Sequence, residues 1–266
     1  MHTGKYKIGV NYTSTLGASP EETFALFKNL GFDAIFTGCD DDLLKTERYA
    51  KAAYENKLFY ESLHAPFDGI NSKWQVGEDG DRMCARICSC IERCGKYNIP
   101  VAVVHLSSGE NAPHICDIGK SRYDTIVDCA VKNNVTIGFE NQRKLANLAF
   151  VMELYANVPE VRFCWDVGHE HCFTGGKEFM PFFGDKLVYT HIHDNYCEYN
   201  GDLHMIPFDG NIDFSNAAEH IKKSAFSGTL TLEIFKKAPI YADMTTEDFY
   251  KRAYNAITKL RKMCEE

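Results

Sequence analysis

Eight short strand-like runs recur along the whole chain, at Lys7–Val10, Ala34–Thr37, Leu58–Leu63, Val101–Leu106, Thr136–Glu140, Arg162–Asp166, Val188–Ile192 and Thr229–Ile234, and stretches of helical periodicity separate them. A strand followed by a helix and then another strand returns the chain to the same end of the sheet. That demands parallel pairing with right-handed crossovers. Eight such units, each of about 30 residues, close into a (β/α)8 barrel, with a doubly wound open sheet as the structural alternative. A chain of 266 residues with 45% hydrophobic content suits one barrel better than two ordinary domains. The expectation is one domain over residues 1–266, with its functional face at the C-terminal rim of the strands.

Local signals agree with this reading. Ser19 is placed to cap a helix over 20–30 with Pro20 in its first turn, and Gly31 follows as a C-cap. A last helix over 245–262 opens at Thr245 or Thr246, with Glu247 and Asp248 in its first turn. The segments 67–79 and 194–214 are the least regular, and both fall on the functional side of a barrel.

The chain has no run long and apolar enough to span a bilayer, and MHTGKYKIGV lacks the apolar stretch of a signal peptide, so a soluble cytoplasmic protein is expected. Eleven cysteines, an odd number, fit reduced thiols better than a disulfide framework. Cys84, Ile87, Cys88, Ile91 and Cys94 share one helical face, a pattern of core packing rather than metal ligation. Cys116, Cys172 and Cys197 fall in rim loops and read as bystanders. A net charge of −8 works against tight binding to a phosphate backbone and gives weight to small-molecule substrates.

Six of the strands end in a side chain that binds metals: His64, His105, Glu140, Asp166, His191 and Glu233. A parallel barrel brings all strand ends to one rim, where such residues converge. Glu140, Asp166, His191 and Glu233 end four consecutive strands, and three carboxylates with one imidazole make a hard site suited to Mn2+, Mg2+ or Co2+, with Zn2+ also accommodated. Burying several uncompensated carboxylates is very costly, and a divalent cation offsets that cost. His191 and His193 point to the same side of their strand, so on spacing alone either is the ligand. His169, three residues after Asp166, falls in the loop above the metal, where it could meet a substrate hydroxyl or a second ion.

The run HIHDNYCEYNGDLHMIPFDGNIDF, together with IGFEN, FCWDVGH and LTLEIF, resembles the xylose isomerase-like TIM barrels, the superfamily of sugar (phosphate) isomerases and epimerases and of endonuclease IV. The sugar branch of that family implies Glu140, Asp166, His191 and Glu233 as ligands of one divalent ion. It selects His191 over His193 because the family ligand precedes an acidic residue by three, here Asp194. It further implies Glu140 and Glu233 as the groups that move a proton through a metal-stabilised cis-enediolate, and His64, His105, His169 and His193 as substrate contacts. Asp202 and His204 stand as additional metal ligands. Asp194 is expected to buttress a histidine, and Phe67, Trp74 and Phe208 to wall the site. The endonuclease branch would instead use His64, His105, His169, Asp202 and His204 with the four core ligands to hold three zinc ions at abasic DNA. The acidic balance, WDVGH in place of an endonuclease-like DTCH, and the lack of an evident basic reading loop favour a carbohydrate substrate over nucleic acid. A sugar-binding barrel without catalysis is a third reading, and a homo-oligomer paired through helices or rim loops is expected.

Overall fold

The computed structural model describes residues 4–266; residues 1–3, the start of the N-terminal segment read above, lie outside the described residues. Eight parallel strands form the barrel: β1 Lys7–Tyr12, β2 Ala34–Gly38, β3 Phe59–His64, β4 Val101–His105, β5 Thr136–Glu140, β6 Val161–Asp166, β7 Leu187–His191 and β8 Thr229–Leu232. They pair in the order β7-β6-β5-β4-β3-β2-β1-β8. A parallel bridge between Ile192 and Leu232 joins the two ends. There the Ile192 amide donates to Thr231 O at 2.8 Å, and the Glu233 amide to Ile192 O at 3.1 Å. The fold is a (β/α)8 barrel, and the doubly wound alternative is excluded by that closure.

Helices fill the connections: α1 Pro20–Leu30, α2 Leu43–Glu55, α3 Glu78–Lys96, α4 Asp117–Asn133, α5 Leu145–Leu154, α6 Val167–Phe173, α7 Met180–Phe183, α8 Phe214–Lys223 and α9 Thr246–Glu265. α1 begins with a full capping box, in which Ser19 Oγ accepts the Glu22 amide at 3.2 Å and Glu22 Oε2 accepts the Ser19 amide at 3.0 Å. It ends at Gly31, whose φ of 106° lies in the left-handed region open to glycine. Thr245 rather than Thr246 caps α9, and that helix runs three residues past the expected end, where Cys264 is still buried.

α3 buries Met83, Cys84, Ile87, Cys90, Ile91 and Cys94. Each large apolar side chain taken from water in this way contributes about 1.5–3 kcal/mol. The buried face is rotated slightly from the expected one: Cys90 is fully buried and Cys88 only half so. All eleven cysteines are free thiols.

Inside the barrel, Phe36, Val101, Val103, Cys164 and Tyr189 pack as a small core beneath the rim. Register shifts re-aim side chains here. Between β2 and β3 the register skips Glu61, whose carboxyl lies within the barrel and accepts from Thr231 Oγ1 of β8 at 3.3 Å. Burial raises the Glu61 pKa to about 7 against the relief given by Thr229 and Thr231. No described helix is long and apolar enough to cross a membrane.

Candidate metal centre at the barrel mouth

Strand alternation delivers the rim residues. His64, His105, Glu140, Asp166 and His191 are the last residues of β3 to β7, and Glu233 stands one residue beyond β8, held by its amide bond to Ile192. Glu140, Asp166, His191 and Glu233 each place one donor atom within 4.8 Å of the others. His191 Nδ1 is 2.9 Å from Glu140 Oε1 and 3.3 Å from Glu233 Oε2. From below, Phe36 stacks on the His191 ring at 4.9 Å and 23°, fixing its plane.

His64 also comes together with His191 and Glu233 of this group, and two further groups flank it. His64, His105 and Glu140 form the first, with His105 Nε2 2.5 Å and His64 Nε2 3.2 Å from Glu140 Oε2. His169, His193, Asp202 and His204 form the second. In it, Asp202 Oδ2 lies 3.4 Å from His169 Nε2 and 3.3 Å from His204 Nε2, and the His193 and His204 rings stack at 4.0 Å. All ten residues singled out in the sequence therefore meet in one connected cluster. His191 belongs to the group of three carboxylates, and His193, two residues on, to the neighbouring group.

The donor set fits a divalent ion. Asp166 caps α6, its Oδ1 accepting the His169 amide at 2.6 Å, while its Oδ2 is buried without a hydrogen bond. In the second flanking group, His193 Nε2 and Asp202 Oδ1 are likewise buried and unbonded. Orphaned donors of this kind are rare unless another partner satisfies them. Glu140, Asp166, His191 and Glu233 would hold one ion, and each flanking group offers ligands for another.

Charge shapes the cluster. Burial works to raise the Glu140 pKa, but His105 and His191 outweigh it and hold the carboxyl well below the usual range. His191 is pushed up to about 9, since Glu233, Glu140 and Asp166 overcome its desolvation. Desolvation also opposes charge on His204, which Asp202 and Glu233 nevertheless raise to about 9. On His105 desolvation wins and the pKa falls despite Glu140.

A cavity of about 620 Å3 opens above the cluster. Glu140, Glu233, His64, His105, His169, Asp202 and His204 line it from the floor, and Tyr12, Tyr49, Phe67, Phe173 and Phe235 supply apolar wall. Phe67 stacks on His105 at 4.6 Å. The other two aromatic residues expected at the wall lie elsewhere. Trp74 is buried, its Nε1 donating to Leu106 O at 2.7 Å, because the 3-10 turn Ile70–Trp74 folds it inward against Tyr123. Phe208 packs on Phe214 at the start of α8. Asp194 is corrected too: its carboxylate accepts the amides of Asn195, Gly210 and Ile212 at 2.8, 2.8 and 3.1 Å. It fixes the loop after β7 and, among the described residues, buttresses no histidine. Cys172 is buried in α6, Cys116 is half-buried and Cys197 exposed.

Several residues at the site carried no signal in the sequence reading. Asn141 clamps β5 to β6 by donating from Nδ2 to Asp166 O and accepting the Asp166 amide, at 2.8 and 2.7 Å. Gln142 Nε2 lies 3.1 Å from His169 Nδ1 and 3.3 Å from His105 Nε2, linking two donor groups. Their position directly after Glu140 in the loop leaving β5 was the available clue. Arg143 lines the cavity one residue further on.

A model of the family described as xylose isomerase-like TIM barrel matches residues 24–259. A curated relative, the uncharacterized protein y4fM of Sinorhizobium fredii, is 28% identical over 148 residues, covering 53% of this chain and 46% of that protein. The match thus spans less than half of that relative's length. Among solved structures, the IolI protein with a binding zinc atom superposes with a TM-score of 0.78 at 20% identity, covering 96% of this chain and 98% of that one. The 3-keto-D-glucoside 4-epimerase YcjR of E. coli gives 0.75 at 17% identity, over 97% and 99% of the two chains. At such identities the likeness establishes a shared fold.

Proposed function

The chain belongs to the xylose isomerase-like TIM barrel family, and on that premise we propose that it is a divalent-metal-dependent sugar isomerase or epimerase. One observation carries this reading: of the four residues that would hold the ion, Glu140 and Glu233 line the cavity, whereas Asp166 and His191 do not. Two carboxylates from β5 and β8 therefore face the space a substrate would take. Sugar epimerases among the structural neighbours support the same chemistry.

The ion, when bound, would polarise a substrate carbonyl and acidify the adjacent C–H. Glu140 or Glu233 then takes the proton from that carbon, and the same or the other carboxylate returns it. Use of one carboxylate gives isomerisation; use of both, from opposite faces, gives epimerisation. Glu233 is the less encumbered base, because Glu140 is within hydrogen-bonding distance of His64, His105 and His191. His64, His105 and His169 present ring nitrogens along the floor to orient hydroxyls, and Phe67, Phe173 and Phe235 exclude water from the reacting carbons.

The test is solvent exchange. Enzyme loaded with Mn2+, Co2+ or Mg2+ and incubated in D2O with a broad panel of aldoses, ketoses and inososes is expected to place deuterium on carbon next to the carbonyl in at least one. No carbon-bound deuterium in any of them overturns the reading.

A second reading rests on a different observation, the two flanking donor groups that share Glu140 with or adjoin the first. Three ions held side by side suit hydrolysis of a phosphodiester at abasic DNA. Incision of an abasic oligonucleotide by protein carrying about three zinc ions per chain would favour it over sugar chemistry.

A further inference from the structure

We propose that Arg143 is the anchor for an anionic group at the far end of the substrate, a phosphate or a carboxylate; this rests on the sugar reading above and narrows its substrate class. Beside the histidines of the floor, two Lys or Arg side chains line the cavity among the described residues, Lys45 and Arg143. Lys45 is already neutralised, its Nζ 2.5 Å from Asp40 Oδ2. Arg143 has no carboxylate within ion-pair distance among the described residues. Its Nε and Nη2 both donate to the neutral carbonyl Oδ1 of Asn200, at 3.2 and 2.8 Å.

The guanidinium is nevertheless held in place. It lies over the Phe173 ring, with Cζ 3.6 Å from the centroid. Phe173 in turn stacks on His169 at 4.7 Å and 24°. Asn200 is itself fixed: its amide donates to Cys172 O at 3.0 Å, and its Nδ2 donates to Glu110 Oε1. That last bond turns the Asn200 carbonyl toward Arg143. Its φ of 61° is a left-handed conformation that asparagine tolerates better than most residues. An arginine gripped through two of its nitrogens by a neutral partner keeps its full charge and leaves Nη1 without a protein acceptor among the described residues. That is a preorganised fork for an oxyanion.

The position fits the far end of a sugar. Arg143 is separated from His169 by the single stacked ring of Phe173. With the reacting carbons at Glu140 and Glu233, a sugar chain running up the cavity turns its last carbon toward the guanidinium. Glu140 and Glu233 take the reacting carbons at the floor, which leaves the charged end to the guanidinium.

Isothermal titration of the Mn2+-loaded protein with D-fructose, its 6-phosphate and its 6-carboxylate tests this directly. The expected result is that one of the two anionic ketoses binds at least about tenfold more tightly than the neutral one, the size of a charge-assisted pair. Which of them does so identifies phosphate or carboxylate as the group. In Arg143→Gln the preference falls to about twofold or less, and Arg143→Lys keeps part of it because the charge remains while the fork is lost. Asn200→Ala, which frees the guanidinium, also weakens it. Equal binding of all three ligands by the wild type, no binding of any, or a preference that survives Arg143→Gln overturns the proposal; the last outcome would assign the anion to the metal centre. Deuterium exchange separates the two claims. Exchange with an unaltered liking for neutral sugars sinks the anchor alone, and an Arg143-dependent preference without exchange on any sugar sinks the isomerase reading alone.

Discussion

Gly168 and His193 are in contact so close that a Cβ on Gly168 would stand 1.9 Å from His193 Cε1. The imidazole of β7's extension thus rests on bare backbone at the start of α6. That contact sets His193 within 3.1 Å of Asp166 Oδ1 and stacks it on His204. Gly168→Ala is expected to push the ring away and disturb both donor groups. A displacement of about 1 Å in a catalytic centre costs on the order of a hundredfold in rate. Overpacking a buried site costs about 1–3 kcal/mol, so the melting temperature should drop by a few degrees along with kcat, and a folded variant with undiminished kcat would remove His193 from the machinery.

The segment before α3 hangs on Arg122. Its guanidinium donates to the carbonyls of Ser72, Lys73, Gln75 and Gly77 and to Asp81. Removing it leaves several half-buried carbonyls unsatisfied, so Arg122→Ala should lose about 3 kcal/mol. Because Phe67 and Asp68 at the cavity edge precede this segment, KM should rise as well. Denaturant melts of the two proteins measure the first effect, and an unchanged midpoint would refute it.

Glu61 gives the protein a pH dependence that does not involve the metal centre. Its folded pKa, raised by burial to about 7, exceeds the ordinary value of 4.5. The folded state therefore binds its proton more tightly than the unfolded state does. Its contribution is complete below pH 4.5, declines by about 1.4 kcal/mol per unit as the pH rises, and is lost above 7. Glu61→Gln mimics the protonated form. It should match the wild type at pH 4 and exceed its stability by up to about 3 kcal/mol at pH 8. Parallel curves for the two proteins across that range would show that Glu61 is not the source.

The barrel was legible because its strands carry dense apolar runs and its helices carry caps such as Ser19 and Gly31, signals that tertiary packing reinforces. The rim residues were legible for the same reason: strand period and barrel topology together put Glu140, Asp166, His191 and Glu233 at one end. Packing in segments without periodicity was not. Nothing local announces that Lys73 is fully buried, its Nζ over the Tyr123 ring and 3.4 Å from His105 O, or that Trp74 turns inward beside it. Asp194 illustrates the other limit. It was expected to buttress a histidine, yet the chain returns at Gly210 with room for no side chain, and the backbone amides arriving there take the carboxylate instead.

The central claim is that Glu140, Asp166, His191 and Glu233 hold a divalent ion, and titration of Mn2+ into chelator-stripped protein, followed by the loss of its free-ion EPR signal, tests it most directly. The wild type should take up a tight equivalent that Glu233→Gln and Asp166→Asn each weaken by at least about tenfold, in line with removal of one charged ligand. Mn2+ uptake that is absent from the wild type, or that both folded variants retain unchanged, would contradict the account.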